Sequence, residues 1–185
     1  MDIAPYDVSN IGQEEAAICE PAAVALRAFN KSGVGAEESI LIHGIGLIGL
    51  LIAQWAKAEG VKKIVLVDGA EEKVELAQKM GFAMAVQQGK LSEVMVADAC
   101  IECTGTSEGL AGCVGHVRVG GIVVCVDAPA EDVEFSQETY VGIRQKELML
   151  VGVSTDNAKD MEEWEMAVRA VREGQLDGEV LRELI

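Results

Sequence analysis

A doubly wound parallel α/β sheet of about six strands, in the order 3-2-1-4-5-6 with helices on both faces, is the fold class that the sequence predicts. Three observations carry it. Apolar strand-like runs alternate with amphipathic helical stretches along the chain. Gly is abundant at 20 copies while aromatic residues make up only 4%, which suits aliphatic strands buried on both faces and joined by tight turns. A G-x-G-x-x-G turn joins the first strong strand to a strong helix. At 185 residues the chain suffices for one such domain and is short of two. Residues 1–185 therefore read as a single unit, with 1–19 as a leading segment of thin pattern.

Pro21 suits the first turn of a helix and opens the apolar series Ala22, Ala25, Leu26 and Phe29, which ends near Lys31-Ser32-Gly33. Ser39 to His43 reads as a buried strand, and Ile48, Leu51, Ile52 and Trp55 recur at helical spacing directly after it. A second strand, Ile64 to Val67, ends at Asp68; Val74, Ala77 and Met80 mark the next helix, with Gly81 as its stop. Ala83 to Val86 is a short third strand, and Gln87 to Ala97 is irregular. Asp98 to Cys103 is the fourth strand, Leu110, Cys113, Val114 and Val117 mark a helix face, and Gly120-Gly121 turns the chain into a strand from Ile122 to Val126. A helix near Ser136 to Arg144 and a strand from Leu148 to Val153 follow. The last element is an amphipathic helix carrying Met161, Trp164, Val168 and Val171, stopped by Gly174.

Acidic side chains outnumber basic ones by 31 to 15, and the formal charge of −16 repels phosphate backbones and anionic lipid. Neither a nucleic acid partner nor a membrane surface is expected. The apolar run Ile40 to Ala53, interrupted by His43 and three glycines, is shorter than the roughly 20 residues of a spanning helix. Met1-Asp2-Ile3-Ala4-Pro5 has neither the basic nor the apolar region of a secretory signal. The five cysteines, Cys19, Cys100, Cys103, Cys113 and Cys125, form an odd set in apolar surroundings, which predicts reduced buried thiols and a cytoplasmic protein.

In the turn Gly44-Ile45-Gly46-Leu47-Ile48-Gly49 the glycines have separate tasks: a tight turn, close backbone approach to a diphosphate, and close packing of helix on strand. The helix that follows presents unpaired N–H groups and a positive dipole end to an anion. Nineteen residues beyond Gly49, Asp68 ends the second strand, where a carboxylate accepts hydrogen bonds from both hydroxyls of an adenosine ribose and repels a 2′-phosphate. This Rossmann-type constellation predicts NAD in preference to NADP. S-adenosylmethionine binding, as in a methyltransferase, is the sharper competitor, and the three-glycine spacing favours the dinucleotide.

The order of these motifs resembles the nucleotide-binding domain of the zinc-dependent medium-chain dehydrogenases, especially the sorbitol and polyol branch, from about Glu14 to the C-terminus. The pieces are Cys19-Glu20-Pro21, the Gly44 to Gly49 turn, Val67-Asp68 with Lys73, Ile101-Glu102-Cys103-Thr104-Gly105, Gly120-Gly121-Ile122-Val123-Val124, and Arg144-Gln145-Lys146-Glu147-Leu148. Leu47 stands where many members have proline, and the segment between Gln87 and Ala97 is shorter than usual. The resemblance implies that Leu47 and Ile48 supply backbone to the pyrophosphate, Asp68 holds the ribose and Lys73 lies beside the adenosine end. It further implies that Cys103 and Thr104 border the nicotinamide ribose and that Val126 and Val151 approach the nicotinamide. Family members also carry a catalytic domain with the zinc ligands. Of the positions near that zinc this chain matches only Glu20, and one carboxylate cannot replace three protein ligands. The resemblance thus implies an excised domain or a truncated product that binds NAD and belongs to a zinc enzyme, with zinc absent from this chain and no catalytic residue in it. A non-catalytic cofactor-sensing module is the alternative. It also implies a two-fold dimer through the last strand, Leu148 to Val153, which carries no proline or charge to block edge pairing.

Other constellations are read as structural. Cys100-Ile101-Glu102-Cys103 with Cys113 and His116 has a zinc-like composition, but residues three apart on a strand face opposite sides of a sheet. A redox role for the pair is no better founded, since such motifs work from a helix N-terminus. His43 reads as a packed residue satisfied by backbone rather than a general base. The Tyr140 and Arg144 pair fails the Tyr-x-x-x-Lys pattern of short-chain dehydrogenases at its basic position. The acidic clusters Glu71-Glu72 and Glu162-Glu163-Glu165 read as solvated helix faces, with Glu75 and Lys79 spaced as an i, i+4 pair.

Overall fold

A computed structural model describes residues 13–92, 95–154 and 161–177. Helix α1 (Gln13–Ser32) leads into β1 (Ser39–His43), α2 (Leu47–Ala58), β2 (Lys63–Asp68), α3 (Glu71–Lys79) and β3 (Ala85–Gln87). The second half runs β4 (Ala97–Glu102), α4 (Ser107–His116), β5 (Val117–Cys125), α5 (Gln137–Gln145), β6 (Met149–Gly152) and α6 (Met161–Arg172). All six strands are parallel and form one sheet in the order β3-β2-β1-β4-β5-β6.

Strand alternation sorts the core into two layers. Ile40 and Ile42 of β1 face a cluster completed by α1, α2, α3 and α6, while Leu41 faces one completed by α4. All five residues of β1 are buried, as the central position of that strand demands. Trp55 ties the first layer together by donating its indole N–H to the Ala22 carbonyl at 2.9 Å. At the N-terminal edge of the sheet, the Asp98 carboxylate accepts from the N–H and hydroxyl of Ser39 at 2.8 and 2.7 Å and from Arg118 Nε at 3.0 Å.

Four readings are corrected. Pro21 lies inside α1 rather than at its start: the apolar face extends back through Ile18 and Cys19, which are buried, so packing holds the helix across the bond that the proline ring removes. Val117 is extended and opens β5, because α4 ends at His116. Gly120-Gly121 sits within β5 at a bulge, where Ala97 pairs with Val117 and Ala99 with Ile122. Gly120 takes φ +69° there, the left-handed conformation that favours glycine. Glu163 is half-buried and pairs with Arg27 of α1 at 3.2 Å, so α6 does not present it to solvent.

Among the described residues between Gln87 and Ala97 there are turns and no helix, in keeping with the irregular pattern. No described helix is long and apolar enough to cross a membrane.

Candidate functional site

The carboxyl ends of the central strands form one row. Backbone hydrogen bonds continue one residue past each strand: Gly44 donates to Val67, Cys103 to His43, Val126 to Glu102 and Val153 to Cys125, at 2.7 to 3.0 Å. Gly44, Asp68, Cys103, Val126 and Val153 therefore stand at one level. The order β2-β1-β4 makes this the point where the connections reverse direction, the place at which open α/β sheets bind ligands.

The turn after β1 can take its path only with glycine at two positions. Gly44 has φ +106°, and a Cβ there would lie 2.8 Å from the Cys103 carbonyl oxygen and 2.9 Å from Thr104 Cγ2. A Cβ on Gly49 would overlap the Gly44 carbonyl oxygen. Gly46 differs, since a Cβ there meets nothing within 4 Å. It caps α2 without a side-chain hydrogen bond, and no acid occupies the first turn. The N–H groups of Leu47, Ile48 and Gly49 have no intrahelical acceptor at that end. An anion can approach the backbone over Gly46, which is the cradle a diphosphate requires.

Asp68 closes the other side. Its Oδ2 accepts from the Ile45 N–H at 2.7 Å and its Oδ1 from the Ala70 N–H at 2.9 Å, which fixes the carboxylate between the glycine turn and α3. A carboxylate has about four acceptor positions, so about two stay open, matching the two hydroxyls of a ribose. Lys73 Nζ stands 3.6 Å from Oδ2.

Cys103 and Thr104, expected beside the nicotinamide ribose, adjoin the glycine turn at Gly44, and Val126 stands in the row. Val151 does not: it lies inside β6, two residues short of the row, and Val153 occupies that level instead. Thr104 is more committed than expected, because its hydroxyl donates to the buried Glu102 carboxylate. Glu102, 4% exposed, was missed as a functional residue. Its signal was a charged side chain inside the apolar run Cys100 to Cys103.

His43 is buried against α4, where a Cβ on Gly112 would come within 2.8 Å of its Nε2. Its Nδ1 has no hydrogen-bond partner among the described residues, contrary to the expected backbone satisfaction. Burial holds the imidazole below its ordinary pKa, against the opposing pull of Glu102, Asp68 and Glu108.

The cysteines separate as strand geometry requires. Cys103 belongs to the core under α2, whereas Cys100 and Cys113 belong to the core under α4. A hydrogen bond with Cys100 that holds the protonated thiol, and then burial, push Cys113 up; burial and the adjacent Glu102 do so for Cys103. Among the described residues no group of three or more His, Cys, Asp or Glu side chains is arranged to hold a metal ion. Glu20 is exposed on α1. The described residues therefore fit a dinucleotide and do not fit a catalytic zinc.

Residues 48–173 match the family described as zinc-binding dehydrogenase. L-idonate 5-dehydrogenase of Vitis vinifera is 28% identical over 181 residues, covering 91% of this chain and 48% of that protein. The structure of galactitol-1-phosphate dehydrogenase from Escherichia coli superposes with a TM-score of 0.80 at 26% identity, over 94% of this chain and 52% of that one. A zinc-binding dehydrogenase from Sinorhizobium meliloti, bound to NADP, gives 0.73 at 26% identity over 88% and 49%. The chain spans about half the length of the relatives it matches. Sheet order, glycine turn and a match running from α2 through α6 agree, and the chain belongs to the zinc-binding dehydrogenase family.

Proposed function

We propose that the chain is the cofactor-binding part of an NAD-dependent alcohol or polyol dehydrogenase. The observation that carries this reading is Asp68, fixed by two backbone N–H groups beside a glycine turn whose middle glycine opens onto free space. The turn and the first N–H groups of α2 bind the pyrophosphate through Gly44, Gly46, Leu47, Ile48 and Gly49. Asp68 receives the adenosine ribose, and Lys73 moderates its charge. Cys103, Thr104 and Val126 serve the nicotinamide half, and Val153 takes by register the place expected of Val151. The bound nicotinamide supplies a hydride acceptor; this chain contributes position and ribose recognition, while the reacting acid, base and metal belong to other parts of the enzyme.

NAD is preferred to NADP, because a 2′-phosphate would meet the Asp68 carboxylate. Calorimetric titration tests this: NADH should bind more tightly than NADPH, and Asp68→Ala should weaken NADH while narrowing the preference. Equal or tighter NADPH binding by the wild type would remove the assignment. β6 is an edge strand with Met149 and Leu150 exposed, which supports a homodimer that continues the sheet across a two-fold axis. The buried free thiols support a cytoplasmic location.

A further inference from the structure

The buried Glu102 carboxylate accepts from the Thr104 N–H at 2.7 Å, the Thr104 hydroxyl at 2.5 Å and the Gly105 N–H at 3.1 Å. The chain of bonds continues outward with one direction. Thr104 spends its hydroxyl hydrogen on Glu102, so the 2.7 Å contact between the Thr104 and Thr106 hydroxyls must be donated by Thr106. Thr106 Oγ1 in turn accepts the Gly109 N–H and caps α4 at 3.0 Å. The Thr104 hydroxyl hydrogen is thus unavailable to a ribose. What the turn can offer a ligand is its shape and backbone, and these abut the glycine turn at Gly44.

We propose that Glu102 is a positioning residue: its carboxylate holds the Cys103 to Gly105 turn as the wall of the crevice that receives the nicotinamide half of the dinucleotide. The inference rests on the dinucleotide reading above. In the order β2-β1-β4, Asp68 marks the adenosine side and the end of β4 marks the opposite side. Loss of the Glu102 hold should therefore act on one half of the ligand.

The test titrates the full chain, as wild type, Glu102→Gln and Thr104→Val, with NADH and with AMP, following dihydronicotinamide fluorescence and calorimetry. Glu102→Gln keeps the side chain's shape but sets an amide NH₂ against an N–H or hydroxyl donor. It should weaken NADH about ten-fold and abolish the bound-state fluorescence change, while AMP affinity stays within about two-fold. Thr104→Val removes the hydroxyl from the same chain and should act in the same direction, with the double variant no weaker than the stronger single one. Equal losses for NADH and AMP, or unchanged NADH binding, would overturn the proposal. A wild type that binds neither ligand would overturn the dinucleotide reading itself. Should circular dichroism show Glu102→Gln unfolded, Thr104→Val carries the same comparison.

Discussion

Gly46 and Gly49 belong to the same turn, yet they should respond to alanine in opposite ways. Gly46 has φ −95° and ψ −171°, a conformation open to any residue, and its added Cβ meets nothing within 4 Å. Gly46→Ala should therefore cost the fold only the loss of a favourable cap residue, about 1 kcal/mol, or a melting shift of about 2–4 °C. The methyl group projects where a diphosphate would lie. If displacing the ligand costs about 1–3 kcal/mol, as overpacking does, affinity falls roughly five- to 150-fold. Gly49→Ala is a folding lesion instead. Its Cβ overlaps the Gly44 carbonyl oxygen and lies 3.2 Å from the Gly44 carbonyl carbon, both main-chain atoms that cannot swing aside. A cost near the top of the overpacking range, about 3 kcal/mol, lowers the melting temperature by about 6–12 °C. Calorimetric melting with NADH titration separates the two. A folded Gly46→Ala protein that binds NADH like wild type, or a Gly49→Ala protein that melts with wild type, would refute the geometry of the turn.

The proposed β6 edge predicts a dimeric wild type in sedimentation equilibrium at micromolar concentration and a folded monomer for Leu150→Pro; a monomeric wild type, or a dimer indifferent to proline, would sink it. Lys146 Nζ donates to the carbonyls of Val114, Gly115 and Val117 at 2.7 to 3.0 Å and so closes the C-terminal end of α4. Lys146→Met should cost about 2 kcal/mol in urea denaturation, and a loss within error of zero would show that solvent satisfies those carbonyls equally well. His43 resists protonation in the fold, so below about pH 6.5 the unfolded chain binds more protons and stability declines as pH falls. His43→Leu should flatten that decline between about pH 7 and pH 5. Asp98 adds a separate loss at lower pH, because its carboxyl, held down by Ser39 and Arg118, stabilises the fold only while ionised.

The glycine turn, both flanking elements and Asp68 were legible because each signal is local: a buried run, three small residues and an acid fall in fixed order along one stretch of chain. The same holds for Gly81 and Gly174, whose φ values of +90° and +66° follow from their places after α3 and α6. What escaped depends on partners distant in sequence. Glu163 is charged and lies on an amphipathic helix, so only the position of Arg27, 136 residues away, makes it half-buried. The bulge at Gly120 exists in relation to the register of β4, which no window around Gly120 contains. Pro21 signals a helix start in isolation, and burial of Ile18 and Cys19 overrides it. Val151 and Val153 share a strand face in the sequence pattern; only the pairing with β5 shows which one reaches the row.

That row is made of main chain. The bonds from Gly44, Cys103, Val126 and Val153 to the neighbouring strands involve no side chain, so the half-buried Val126 and Val153 side chains are not what holds the crevice floor, whereas Cys103 is packed into the core under α2. Substitutions at Val126 and Val153 can alter the walls above the floor without removing those bonds. Geometry and selectivity are then separable quantities, and drift in one leaves the other in place. Such a floor gives mutation a protected way to explore new ligand preferences, with Gly44 as the point where exploration stops, since there the backbone itself leaves no room for a side chain.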